Sequence, residues 1–239
     1  MLDIMEGVED YDNMGALLGI DGSDNEELLG ALKRMNPIAR QKAVNKLAST
    51  GGKSRGSRAE MEKHFAELPP HIKSALGKGE LRLADTIIYS FKKVSSRTTK
   101  LWETQDTKTI GINSLSGAKL PKNQALLVSG IILLAGVPAG ATPDDIMSAN
   151  YDRIENFPAI VSGEFNIKAN KKVIMPETSN YMFRTANNST LPLGYYKLAN
   201  PRLIHDDVLI EATVELGSVA GLNPNTFIFL GLHGTITTP

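Results

Sequence analysis

The stretch VLIEATVEL at residues 208–216 constrains the fold more than any other part of this chain. Val208, Ile210, Ala212, Val214 and Leu216 alternate with Leu209, Glu211, Thr213 and Glu215, so an extended backbone puts one apolar set on one face and a mostly polar set on the other. Such a strand needs a second layer to bury its apolar face and neighbours to satisfy its backbone polar groups. The chain after Trp102 supplies candidates: KTIGI, ALLVSGIILLAG, AIVSGEFNIKA, KKVIMP, NYMFRT, GYYKLA and TFIFLGLHGTITT, separated by clusters of Gly, Pro, Asn and Asp. A helical insertion, TPDDIMSANYDRIE, interrupts them, with Thr142 as its cap and Pro143 in its first turn. Eight such runs in about 130 residues predict a mainly β fold, and their size suits an eight-stranded jelly-roll sandwich over residues 105–239.

The preceding residues, 1–104, read as an acidic, then basic, partly helical arm. In SDNEELLGALKRMNP, Ser23 or Asp24 can cap a helix whose apolar face is Leu28, Leu29, Leu32 and Met35. A second helix starts at Pro37 with Ile38, Val44 and Leu47 inward, and it runs into Gly51-Gly52. After the Gly/Ser-rich TGGKSRGSR linker come two short helices, SRAEMEKHFAEL and HIKSAL, closed by Pro69-Pro70 and Gly77. In ELRLADTIIYSFKKV, Leu81, Ala84, Ile88 and Phe91 fit a helix face while TIIYSF has strand composition, and the balance favours a strand.

Several classes of chemistry lack residues. There is no cysteine, so disulfides, thiolate nucleophiles and thiolate metal sites are excluded, and His64, His71, His205 and His233 do not fall in metal-ligand spacing. His205-Asp206-Asp207 precedes the best strand and reads as a turn. His233, in FIFLGLHGT, shares its predicted face with Phe227, Phe229 and Gly231 and reads as part of a wall strand. No phosphate-binding glycine loop is present. The run from Asn123 to Pro143 has no charged residue, but its continuous apolar core is only twelve residues long. A membrane-spanning helix needs about 20, so this run predicts a strand buried on both faces. The reading is of a non-enzymatic chain with no cofactor, no metal and no transmembrane segment.

The strongest functional signal is charge. Residues 1–30 carry nine acidic and no basic residues, whereas residues 31–100 carry 16 basic against five acidic, within a chain of zero formal net charge. Lys53, Arg55 and Arg58 in the Gly/Ser loop, with Lys92, Lys93, Arg97 and Lys100 further on, are candidate contacts to nucleic acid or another polyanion, because flexible cations bind phosphates by releasing counterions. No aromatic residue interleaves residues 53–58, so base stacking is not expected there.

A helical arm with a basic loop, followed by a strand-rich body, resembles the jelly-roll capsid proteins of icosahedral viruses. More narrowly, GYYKLANPRLIHDDVLIEATVEL, joined through GSVAGLNPNT to FIFLGLHGTITTP, is similar to capsid proteins of small tailless phages. The resemblance implies a self-assembling shell subunit of the virion, made in the host cytoplasm. It would contact copies of itself, other virion proteins and, through its basic segment, packaged nucleic acid or an internal membrane surface. Two other classes stay open: a receptor- or carbohydrate-binding sandwich such as a phage fibre or lectin-like module, with Tyr151, Tyr195 and Tyr196 as its platform, and a cupin-like enzyme, disfavoured by the missing histidine cluster.

Overall fold

The computed structural model describes residues 57–185 and 192–239; the two expected arm helices, the linker and its Lys53 and Arg55 lie outside them. The described chain is mainly β, arranged as two antiparallel sheets. Its strands are β1 (Arg82–Lys93), β2 (Thr98–Lys100), β3 (Ala125–Gly136), β4 (Tyr151–Arg153), β5 (Glu164–Ala169), β6 (Lys172–Ser179), β7 (Tyr195–His205), β8 (Ile210–Glu215) and β9 (Phe227–Thr238). The first sheet runs β1-β9-β3, with β7 and then the short β4 sharing the far side of β3; the second runs β2-β8-β5-β6. Nine strands are thus present where the sequence pattern suggests eight.

Both sheets draw on residues before 105. β1 pairs with β9 along twelve residues, from Arg82 opposite Thr238 to Lys93 opposite Phe227, and β2 pairs with β8. The sandwich therefore begins near residue 82, in a segment that the sequence pattern groups with the arm. The ambiguity at residues 80–94 resolves to strand, since Ile88 and Ser90 point inward while Ile87, Tyr89 and Phe91 point outward. At three residues, β2 is too short for period two to register.

Two expected strands take other forms. KTIGI is a tight reversal in which Thr109 and Asn113 exchange backbone hydrogen bonds around Gly111 at φ 84°, a left-handed conformation that suits glycine. NYMFRT begins as a 3-10 turn, Asn180–Phe183, whose first N–H groups are capped by Ser179 and whose Phe183 is fully buried. The insertion starts as expected, with Thr142 and Asp145 forming a reciprocal capping box. Its helix ends at Ser148, however, and Tyr151–Arg153 becomes β4.

The core lies between the sheets. Leu126, Val128, Ile131 and Leu133 of β3 and Leu230 and Leu232 of β9 face Phe165 and Ile167 of β5 and Ile210, Ala212 and Val214 of β8. A bulge at Ser129 shifts the register of β3 against both neighbours, so Val128 and Ile131 both face inward although three positions apart. The second face of β3 is buried as well. Helices α1 (Ser57–Lys63) and α2 (Pro70–Gly77) lie over one end of the first sheet, where Leu68, Ile72 and Leu81 pack on Ala125 and Leu203. A strand covered on both sides reads as a continuous apolar run, which accounts for residues 125–136. Among the described residues, no helix is long and apolar enough to cross a membrane.

Candidate functional site

The basic residues of β1 and β2 divide among three environments. Lys92 is the last inward-facing residue of β1, at the rim of the sandwich, where the chain returning from β2 brings two carboxylates to it. Its Nζ donates to Asp106 Oδ1 at 2.8 Å and Glu103 Oε2 at 3.0 Å, and Asp106 Oδ2 is itself held by the Glu103 N–H. Burial alone would lower the Lys92 pKa, but the hydrogen bonds and charges of Asp106 and Glu103 outweigh it and raise the value above that of an ordinary lysine. Its charge is thus engaged within the fold.

Lys93 follows on the outer face of the first sheet, exposed, with Nζ 3.2 Å from Asn225 Oδ1. Arg97 is exposed in the turn between the sheets. Lys100 is exposed on the outer face of the second sheet, because its neighbour Thr99 points inward. Lys93 and Lys100 therefore stand on opposite outer faces, and the four cations do not converge on one patch. Arg58 falls in the backbone of α1. Beside Lys100 lies an open depression of about 150 Å³, lined by Trp102, Glu103, Gln105, Glu211 and Thr213 among others. Its most reactive-looking members are occupied, since Glu103 holds Lys92 and the Trp102 indole N–H donates to Asn113 Oδ1 at 3.0 Å.

The histidines have structural surroundings. Asp206, 8% exposed, accepts the Asn123 N–H at 2.8 Å and meets His71 Nε2 of α2 at 3.1 Å, so it clasps the helices to the sandwich. Asp207 turns the chain at φ 59°, and His205 Nδ1 contacts the Asp206 carbonyl at 3.0 Å. This is the turn that the composition of residues 205–207 suggests. Among the described residues, no group of three or more acidic or histidine side chains could hold a metal ion.

His233 occupies the outer face of the first sheet, opposite Ile87 on β1 and Gly130 on β3. Its Nδ1 lies 3.4 Å from Ser129 Oγ, and its ring meets Tyr195 edge-on with centroids 5.8 Å apart. Ser129 also approaches the His233 carbonyl at 3.3 Å, so its hydroxyl is shared rather than aligned for proton transfer. The grouping of Ser129, Tyr195 and His233 was not visible in the sequence. The bulge at Ser129 creates it, and the Tyr195 ring fills the space that the missing side chain of Gly130 leaves.

The three tyrosines do not share a platform. Tyr195 and Tyr196 are adjacent in β7 and point to opposite sides, Tyr195 toward His233 and Tyr196 toward Phe183. Tyr151 packs edge-on to Phe91 at 4.8 Å, and burial pushes its phenol pKa up to about 12. Burial, with a smaller contribution from the charge of Glu60, also raises that of Tyr195. Comparison of the chain with protein-family models and with curated proteins gives no match.

Proposed function

We propose that this chain is a capsid subunit that self-assembles with copies of itself into an icosahedral shell, its sandwich forming the wall and its N-terminal arm contacting neighbouring subunits or the virion interior. The observation that carries the reading is strand order. With the three-residue β4 set aside, eight strands remain, paired 1-9-3-7 in one sheet and 2-8-5-6 in the other. The chain crosses between the sheets as two interleaved Greek keys, which supports a jelly roll, an architecture common in viral shells. Jelly rolls also serve as lectins and enzymes, and fold alone does not choose among them. The segregated charge favours the shell. Nine acids without a base in residues 1–30, followed by 16 basic residues in residues 31–100, suit contacts between chains or to a packaged polyanion better than a self-contained module.

Other virion proteins are further partners in this reading, and packaged nucleic acid or an internal membrane surface would meet the basic linker. Negative-stain electron microscopy of the purified full-length chain tests it directly. Closed particles of uniform size are expected. A stable monomer at high concentration, across salt and pH conditions, would overturn the proposal.

A further inference from the structure

The outer face of the first sheet is covered at one end and open in its middle. Its register places three outward rows next to one another: Ile87, His233 and Gly130; Tyr89, Gly231 and Ile132; Phe91, Phe229 and Leu134. Phe91 and Phe229 stack with centroids 4.8 Å apart, and Tyr89 joins them at 6.2 and 6.4 Å. Ile87 in this band is 43% exposed. At its border, Ile110 is 86% and Met147 49% exposed, with Met147 lying over Gly111, whose N–H donates to the Tyr89 hydroxyl. An apolar band of this kind, rimmed by polar residues, is characteristic of a surface that receives another element.

The chain outside the described residues reaches the molecule at this face. Ser57 opens α1, whose buried Met61 and contacts with β1 and β9 hold it on the first sheet. Glu60, near the start of α1, acts on Tyr195 beside Gly130, whereas Leu68 and Ile72 farther along pack at the Ala125 end. The chain therefore enters from the open middle of the sheet rather than from its covered end. Preceding it are 56 residues whose clearest amphipathic pattern is Leu28, Leu29, Leu32 and Met35. As a helix, that stripe would be about 10 Å long. Three strands, β1, β9 and β3, span about 10 Å from the first to the third.

We propose that the amphipathic stretch Asp24–Met35 of the same chain docks on this band in the unassembled subunit, seating Leu28, Leu32 and Met35 against Ile87, Phe229 and the Met147 border. The 21 residues between Met35 and Ser57 are ample tether, and a tethered segment meets its site at an effective concentration in the millimolar range. The inference does not depend on the capsid reading, since it concerns a single chain in solution.

The absence of cysteine makes the test clean. Leu32→Cys is combined with Ile87→Cys in the full-length chain, and the dilute protein is treated with a short bis-maleimide. The control pair is Leu32→Cys with Val173→Cys, which is 53% exposed on β6 of the other sheet. The expected result is an intrachain product for the Ile87 pair about ten-fold more abundant than for the Val173 pair, as a docked tether requires. Equal yields, or a product formed only between chains, would overturn the proposal, the latter in favour of a second copy as the donor. As a second readout, the double substitution Leu28→Asp, Leu32→Asp leaves the sandwich untouched and is expected to raise binding of an apolar fluorescent dye several-fold; unchanged dye binding would also overturn it.

Discussion

Lys92 Nζ lies 2.8 Å from Asp106 Oδ1 at the rim of the sandwich, and the contact joins the last turn of β1 to the segment that follows β2. Replacing Lys92 with methionine leaves Asp106 and Glu103 with unmatched charges in a half-buried place, at an expected cost of about 1 to 3 kcal/mol. Arg97→Met, at an exposed turn, should stay within about 0.5 kcal/mol. The pH dependence has a definite sign. The folded-state pKa of Lys92 is raised above the ordinary 10.5, so its stabilisation is complete below that value and is lost as pH rises through the folded-state value. Urea denaturation should therefore show a gap between the original chain and Lys92→Met that is constant from neutral pH to about pH 10 and shrinks above it. A gap that narrowed between pH 7 and 9 would contradict this assignment.

Val214 and Glu215 are adjacent in β8 and face opposite ways: Val214 is fully buried against the core, and Glu215 is exposed. Val214→Asp places a carboxylate in the core at a cost of several kcal/mol, comparable with the whole stability of a domain, and soluble folded protein should be lost. Glu215→Lys should be mild. It also removes one of two like charges facing each other across β8 and β5, since Glu164 is its direct partner. Comparable loss of soluble protein from both substitutions would show that the strand is turned the other way.

Gly234, beside His233, has no room for a side chain, because a Cβ there would run into the Leu127 carbonyl of β3. Backbone cannot move aside as a flexible side chain can, so Gly234→Ala should cost about 2 kcal/mol or more and lower the melting temperature measured by circular dichroism. Gly217, with open space around it, is the control: Gly217→Ala should leave the melting temperature nearly unchanged. Equal melting temperatures for the two variants would rule out the close approach of β9 and β3.

Limited proteolysis of the unassembled chain should yield a resistant fragment that retains residues 82–100. β1 is hydrogen-bonded along its whole length to β9, and cleavage near residue 105 would strip both sheets of a strand. Mass spectrometry of the fragment gives its first residue. A stable core starting at 105 would refute the membership of β1 and β2 in the sheets.

Deleting residues 1–56 leaves every strand and both clasping helices in place, so a folded sandwich is expected. If the arm links subunits, that sandwich should not close into particles of normal size under conditions where the full chain does. Charge reversal at Lys53, Arg55 and Arg58 should lower co-purifying nucleic acid and its salt sensitivity, as loss of phosphate contacts requires. Normal particles from the shortened chain would remove the arm from assembly.

Local pattern alone determined a good deal of this protein. The alternation of residues 208–216, the doubly buried run at 125–136, the Thr142-Pro143 helix start and the turn at 205–207 are each set by neighbours a few residues away. Face periodicity, capping and turn chemistry all act at that range. Tertiary structure decided what depends on distant partners. Residues 82–93 carry mixed helix and strand signals, and only β9, more than 130 residues later, makes them a strand. Ser129 meets His233 across 104 residues because a bulge turns it there, and Asp206 finds His71 across 135. Lys92, Lys93 and Lys100 look like one basic group along the chain, yet pleating and the crossing between sheets send one to an ion pair and two to opposite faces. Periodicity records which way a side chain points relative to its neighbours; the register of distant strands settles what it points at.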